Sequence, residues 1–503
     1  MQASSMAPPQ RFPLNAMDNI MPRFFPSLIF TFRLQPGVTH DQALDLLQAS
    51  LRAAADELPL LRRRAFAIPP TEDNPVAGRL EAREHLDWTP EVLHHDLRAS
   101  WPDYDELIDE ALPQDLLDGA QLLPPGRAHF DLDSSEGVPL LLAQANDVVG
   151  GLLLGVSIFH PLADGMSGVL FLRMWAKHMR LLQEGEAISA TAPLLEIPPD
   201  ACDYELLVKA WQKAGAPVAE GTEADWRVLG LLPPGSEPLA PRVLPPPMRT
   251  SIFYVSAAAF GKLTSVAAEA NNSHGEGQGS GGEGKEQGMA TATANDALMA
   301  LLWRCIMRAR RAAAPEDPAY SRPGAVAELD TTLNGRILFG DTLPWQYMGT
   351  LVYIVTTRLP VAELVAPETP LVAVVRAVRQ AVASITRERA LSVFGLAATR
   401  LPGYTADTLR WPFATFDGAE ACFSSWLSLP AMDMSFGGKL FANRGIPDYI
   451  RPERRLLDLV CRNCNILPMR MEGGAEVLVS LTVDEMALLE QDPEFAQFAQ
   501  LLC

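Results

Sequence analysis

The stretch Ser157-Ile158-Phe159-His160-Pro161-Leu162-Ala163-Asp164-Gly165 constrains this chain more than any other. An apolar run predicts a strand that stops at an imidazole. A carboxylate follows four residues on, and a glycine then opens a helix over Met166 to Gln183, with Leu170, Trp175, His178 and Leu182 at helical spacing. A histidine at a strand end is held by rigid backbone while its ring can face a cleft, which suits a general base. Its ordinary pKa near 6.5 leaves neutral imidazole available at pH 7. Plainer readings stand beside this one: His160 as a satisfied buried histidine, and Asp164 as the N-cap of the following helix, shaping the turn rather than exchanging protons. Spacing does not decide between them, because His129 and Asp133 repeat it in what reads as a structural edge with a partly solvated histidine.

Around this stretch the chain alternates strand and helix signals. Residues 138–159 read as two extended apolar segments joined around Asn146-Asp147. Leu28 to Leu34 reads as a strand, and Thr39 with Gln42 forms a capping box for a helix whose apolar face holds Leu44, Leu47, Leu51, Ala54 and Leu58. Prolines from Pro193 to Pro247 break up any long element, so 200–247 is expected to be a crossover between an N-terminal domain, 1–199, and a C-terminal domain, 248–503. Within the latter, 271–288 is Gly-rich and polar, and is expected to be a disordered surface insertion. Thr293 can cap a helix over Asn295 to Arg311. A second helix is expected over Pro370 to Arg389, and a strand over Ala475 to Leu481, followed by a closing helix from Val483 to Leu489. Such mingling indicates an α/β or α+β class with two layered halves.

Composition narrows the partners. With 41 Lys+Arg against 61 Asp+Glu, the 503-residue chain has a formal charge of −20, which argues against nucleic acid or an anionic membrane as a partner. No apolar run approaches the roughly 20 residues of a membrane helix. The N-terminus has no basic and apolar leader pattern, so a cytoplasmic location is expected. Six cysteines are too scattered for a disulfide framework, and Cys461-Arg462-Asn463-Cys464 reads as small residues on an apolar strand. No metal is expected, and neither a Rossmann nor a P-loop signature is present.

Several blocks together resemble one family. His160 to Gly165 is similar to the HxxxDG signature of the BAHD acyltransferases, a superfamily that includes fungal trichothecene 3-O-acetyltransferase-like members. Leu14 to Phe32 resembles the family's opening segment, Asn295 to Arg304 its second-half helix, and Asn334-Gly335-Arg336 with Tyr347-Met348-Gly349-Thr350 a further block. The resemblance implies two pseudo-symmetric domains of chloramphenicol-acetyltransferase-like fold, each a mixed sheet with flanking helices. Between them it implies a channel entered by acyl-CoA, acetyl-CoA first, at one end and a small-molecule acceptor at the other. It implies a monomer with no permanently bound cofactor, His160 as the base, and Asp164 turned toward Arg336. Ser424 and Trp426 become candidates for an oxyanion or acyl-CoA contact, although an ordinary turn serine is the plain alternative for Ser424. Lys262 and Lys439, with Arg304, Arg308, Arg310 and Arg311, become candidate cations for the CoA phosphates.

The family's DFGWG block is the point of departure. Here it reads Ser435-Phe436-Gly437-Gly438-Lys439, so only Phe436 and Gly437 remain. That loss motivates an alternative, a non-acylating binding or cyclisation scaffold. A free-standing condensation-type domain is the other alternative, weakened by Phe159 where that signature has a first histidine.

Overall fold

The computed structural model describes residues 9–127, 129–184, 196–237, 247–272, 291–412, 418–453 and 462–503. The first half supplies β1 (Gln10–Pro13), β2 (Ser27–Arg33), β3 (Arg63–Ala67), β4 (Leu80–Glu84), β5 (Val92–Asp96), β6 (Val138–Pro139), β7 (Leu141–Val148) and β8 (Gly151–Ile158). The second half supplies β9 (Met248–Val255), β10 (Val326–Asn334), β11 (Val352–Pro360), β12 (Glu420–Ser425), β13 (Ile450–Pro452), β14 (Asn463–Ile466), β15 (Ala475–Thr482) and β16 (Ala499–Leu501). They form three sheets, β1-β4-β3-β6, β13-β2-β8-β7-β5 and β11-β10-β12-β14-β15-β9-β16. The five-stranded sheet is antiparallel except for β5 on β7, and the seven-stranded sheet is parallel only at β10–β12–β14. This is the mixed α/β class expected.

The halves are not separate in sequence. β13 leaves the second half to pair antiparallel with β2, placing Ile450 opposite Phe30. β13 thereby forms one edge of the five-stranded sheet.

Local signals explain most element starts. Thr39 and Gln42 form the capping box of the helix His40–Glu57, and Thr293 with Asp296 forms that of Ala294–Ala313. Two expectations shift. The 138–159 segments do form a hairpin, but it turns at Val149-Gly150, where Gly150 has φ +80°. Asn146 and Asp147 are instead buried within β7. The Pro370–Arg389 helix is two helices, Leu371–Ala383 and Arg387–Arg400, because Thr386 caps a new start by accepting from the Arg389 amide.

The crossover contains the short helices Leu206–Lys213 and Glu223–Val228, with residues 238–246 outside the described residues. Of the Gly-rich insertion, Asn271 and Asn272 end the helix Ala257–Asn272, while 273–290 lie outside the described residues. The Asn271 amide group bonds both the N–H and the C=O of Ala292, at 2.8 and 3.1 Å, joining the two ends of that stretch. Cys461 is also outside the described residues, and Cys464 is buried in β14.

Candidate active site

β8 is the middle strand of the five-stranded sheet, buried along its length between β2 and β7. It gives way to a short 3-10 turn, His160–Leu162, whose Pro161 cannot continue the ladder. The amide of His160 donates to the Phe24 carbonyl at 3.0 Å, and the Phe24 ring meets the imidazole edge-on with centroids 5.5 Å apart. Nδ1 of His160 lies 3.2 Å from the Ala163 carbonyl. A carbonyl only accepts, so Nδ1 holds the hydrogen of the neutral ring and Nε2 keeps its lone pair. Burial pushes the imidazole below its ordinary pKa, with the Ala163 carbonyl and Asp164 opposing. The ring is therefore neutral at pH 7, and its basic nitrogen has no hydrogen-bond partner among the described residues.

Asp164 makes two sets of contacts at once. Its Oδ1 accepts from the Ser167 amide at 3.0 Å, the N-cap bond of the helix Gly165–Glu184. Its two oxygens also take Arg336 in a bidentate pair, Nη1 to Oδ2 at 2.7 Å and Nη2 to Oδ1 at 3.1 Å. The Leu351 amide adds a bond to Oδ2 at 3.0 Å. Burial opposes the charge, but Arg336 and these amides outweigh it and hold Asp164 below the usual carboxylate range. Arg336 in turn donates to the carbonyls of Tyr347 and Gly349. With both oxygens so engaged, Asp164 ties the turn to Arg336 and Leu351.

Gly165 does not adopt a positive φ. It is exposed, and a Cβ there would sit 3.6 Å from Leu429 Cδ1. That contact brings the loop after β12 against the His160 turn. Ser424, near the end of β12, accepts a hydrogen bond from Trp426 Nε1 at 2.9 Å. Its own O–H hydrogen remains available to donate. Next to it, Ser425 Oγ is tied to Asn295 Oδ1 at 2.7 Å.

The Ser435–Lys439 block packs on the far end of the Gly165–Glu184 helix. Phe436 is fully buried between Phe32 and Trp175. Gly437 has φ +96°, and a Cβ there would fall 2.3 Å from Gln183 Nε2. Lys439 Nζ donates to the Gln183 carbonyl at 2.5 Å, where a cation satisfies the helix C-terminus. The structure thus engages Lys439 locally, away from the His160 end. Lys262 is exposed, 5.9 Å from the Phe498 ring. Arg304 and Arg308 pair with Glu494, and Arg308 also with Asp492, while buried Arg310 donates to the carbonyls of Gly418 and Glu420. These acidic and carbonyl partners come from distant segments, which local pattern does not reveal. Among the described residues no cluster of His, Cys, Asp or Glu could hold a metal ion.

The sequence reading missed Asn15 and Asp18. They form a capping box around the one-turn helix Ala16–Asn19, and the Asn-x-x-Asp spacing was the available signal. Asp18 is completely buried and accepts from the Thr350 amide at 2.8 Å, next to the Leu351 amide that serves Asp164.

The Transferase family model matches residues 118–496. The chain belongs to the Transferase family. Among its relatives, the eremophilane O-acetyltransferase prx11 of Penicillium rubens is 26% identical, covering 96% of this chain and 97% of its own. The O-acyltransferase pigD of Monascus ruber is 24% identical over 94% of this chain and 95% of its own. The isocyanide synthase-NRPS hybrid crmA of Aspergillus fumigatus is 26% identical over 98% of this chain, which spans only 31% of crmA. In fold, this Transferase family chain superposes on TRI101 of Fusarium graminearum, solved with coenzyme A and deoxynivalenol, at a TM-score of 0.75 and 17% identity, covering 98% of this chain and 100% of the other. The fold is therefore the two-domain arrangement of that enzyme.

Proposed function

We propose that the protein moves an acyl group, acetyl first, from acyl-CoA to a hydroxyl of a hydrophobic secondary metabolite, with His160 as general base. The observation that carries this reading is the fixed tautomer: Nδ1–H is bound to Ala163, and Nε2 is left basic and unpartnered at the end of a rigid buried strand. Nε2 takes the acceptor's hydroxyl proton as the oxygen attacks the thioester carbonyl. The tetrahedral oxyanion is met by the free O–H of Ser424. Collapse breaks the C–S bond, and the departing thiolate recovers the proton from the imidazolium, so the ester and free CoA leave with no acyl-enzyme. Asp164 and Arg336 hold the turn during these steps.

Relatives of nearly full length named as acyltransferases favour this reading over a non-acylating scaffold. Phe159, buried where a condensation-type signature has its first histidine, disfavours that alternative. The acidic chain, with 41 Lys+Arg against 61 Asp+Glu, disfavours a nucleic-acid partner, and no helix among the described residues is long and apolar enough to cross a membrane. Purified protein given acetyl-CoA and a panel of terpenoid, alkaloid and polyketide alcohols should release free thiol. His160→Ala should slow release by roughly 10²- to 10⁴-fold. Thiol release unaffected by that substitution would remove His160 from the chemistry.

A further inference from the structure

The N-terminal turn Ala16–Asn19 reaches the His160 turn by three separate hydrogen-bonded routes. Through Asp18 it holds the Thr350 amide, and the next amide, Leu351, holds Asp164. Through Asn15 it bonds the Tyr204 carbonyl at 2.8 Å, and the Tyr204 hydroxyl donates to the Leu162 carbonyl inside the His160 turn at 3.2 Å. Through the chain that continues to Phe24 it presents the carbonyl that accepts the His160 amide. Asn15 also donates to the Tyr347 hydroxyl at 3.0 Å, and the Tyr347 carbonyl is held by Arg336.

Asp18, Asn19, Tyr204, Tyr347 and Arg336 are all nearly or fully buried. A buried carboxyl group in such a place is costly unless its oxygens are hydrogen-bonded. Here the amides of Asn15 and Thr350 fill one oxygen each. The cost is met at a point where backbone from both halves converges on the catalytic turn.

We propose that Asp18 is a positioning residue for His160: the Asn15–Asp18 capping box fixes where the His160 turn sits relative to the Arg336–Leu351 segment. Asp18 touches no reacting atom in this scheme. It acts by preventing the turn from drifting, and a displacement on the order of 1 Å at a base costs about a hundredfold in rate. The proposal rests on His160 being the base of the acyl transfer proposed above.

The test compares the full-length protein with Asp18→Asn and Tyr204→Phe. Two readouts are taken: steady-state acetyl transfer, and the titration of the His160 ring followed by NMR with labelled histidine. Asp18→Asn leaves one of the two amides without its acceptor, and Tyr204→Phe deletes a single hydrogen bond to the turn. For Asp18→Asn, kcat should fall by about ten- to a hundredfold while KM for acetyl-CoA stays within about twofold of the wild-type value. The His160 titration should also move up toward 6.5 as water enters. Tyr204→Phe should show the same pattern, weaker. Folded variants with wild-type kcat and wild-type His160 titration overturn the proposal, as does a matched loss of kcat and acetyl-CoA affinity, which marks general loosening. Should Asp18→Asn not fold, Tyr204→Phe decides alone by the same criteria. A wild-type protein with no acyl transfer would count against the proposed function, and the NMR titration would still decide whether Asp18 sets the environment of His160.

Discussion

At the scale of the residue, the decisive detail is which nitrogen of His160 has the proton. The bond to the Ala163 carbonyl assigns it to Nδ1, and burial lowers the ring's pKa. His160 as the proposed base acts in its neutral form, so activity should be lost as pH falls. A pH profile of kcat/KM should be level through neutrality, with an acidic limb whose midpoint lies below 6.5; a midpoint above 7 would contradict the assignment. Ser424→Ala should reduce kcat by at least roughly tenfold, with a smaller change in KM, if its hydroxyl meets the oxyanion. The placement of His160, Asp164 and Arg336 is legible in the sequence because it follows from a strand end, a cap and a motif block. Asp18 was hidden because its partners, Thr350 and the turn below Asp164, become neighbours only when the chain has folded.

At the scale of the element, the Gly165–Glu184 helix is anchored at both ends. Asp164 caps its start and Lys439 binds the Gln183 carbonyl in its last turn, while Gln183 Nε2 donates to the Phe436 carbonyl at 2.6 Å. The substituted block retains the residues that matter for this packing, since Phe436 fills the core and the positive φ at position 437 favours glycine. Gly437→Ala should destabilise the protein by about 1–3 kcal/mol, from the strained φ and the collision with Gln183 together. Thermal unfolding measures this, and an unchanged midpoint would mean the loop moves aside freely. The hairpin shows where local reading stops. Asn146 and Asp147 look like turn residues, yet Asn146 bonds the carbonyls of Leu122 and Leu153, and Asp147 bonds His94. Long-range partners outweighed local turn preference, and the turn moved to Gly150.

At the scale of the molecule, two buried carboxyl groups join the halves through adjacent amides, and their environments drive their titrations apart. Asp164 is held ionised by Arg336; replacing it with Asn leaves a buried guanidinium unpaired, so Asp164→Asn should cost about 3–5 kcal/mol in denaturant unfolding. Asp18, facing Asp164, Tyr204 and Tyr347 with Arg336 beyond, is pushed by burial to about 8. Its unfolded value is near 3.8, so the folded state binds this proton more tightly. The stability it contributes is complete below pH 4 and is lost as pH rises toward 8. Between pH 5 and 8, unfolding free energy should decline with a slope that Asp18→Asn flattens; an equal slope in both proteins would count against the raised value. Class and layering were legible because apolar periodicity is local. The exchange of β13 was not, because a three-residue strand has too little pattern to announce its sheet.

That exchanged strand has a consequence for the order of synthesis. While the ribosome makes the chain, β2 emerges early and its outer edge stays open until Ile450–Pro452 appears. At about 5–20 residues per second the wait is on the order of half a minute. During that interval the nascent first half presents an unpaired, largely apolar strand to its surroundings. Yield in a foreign host should therefore depend on how well holding chaperones cover that edge, with translation speed after β8 as the variable to adjust.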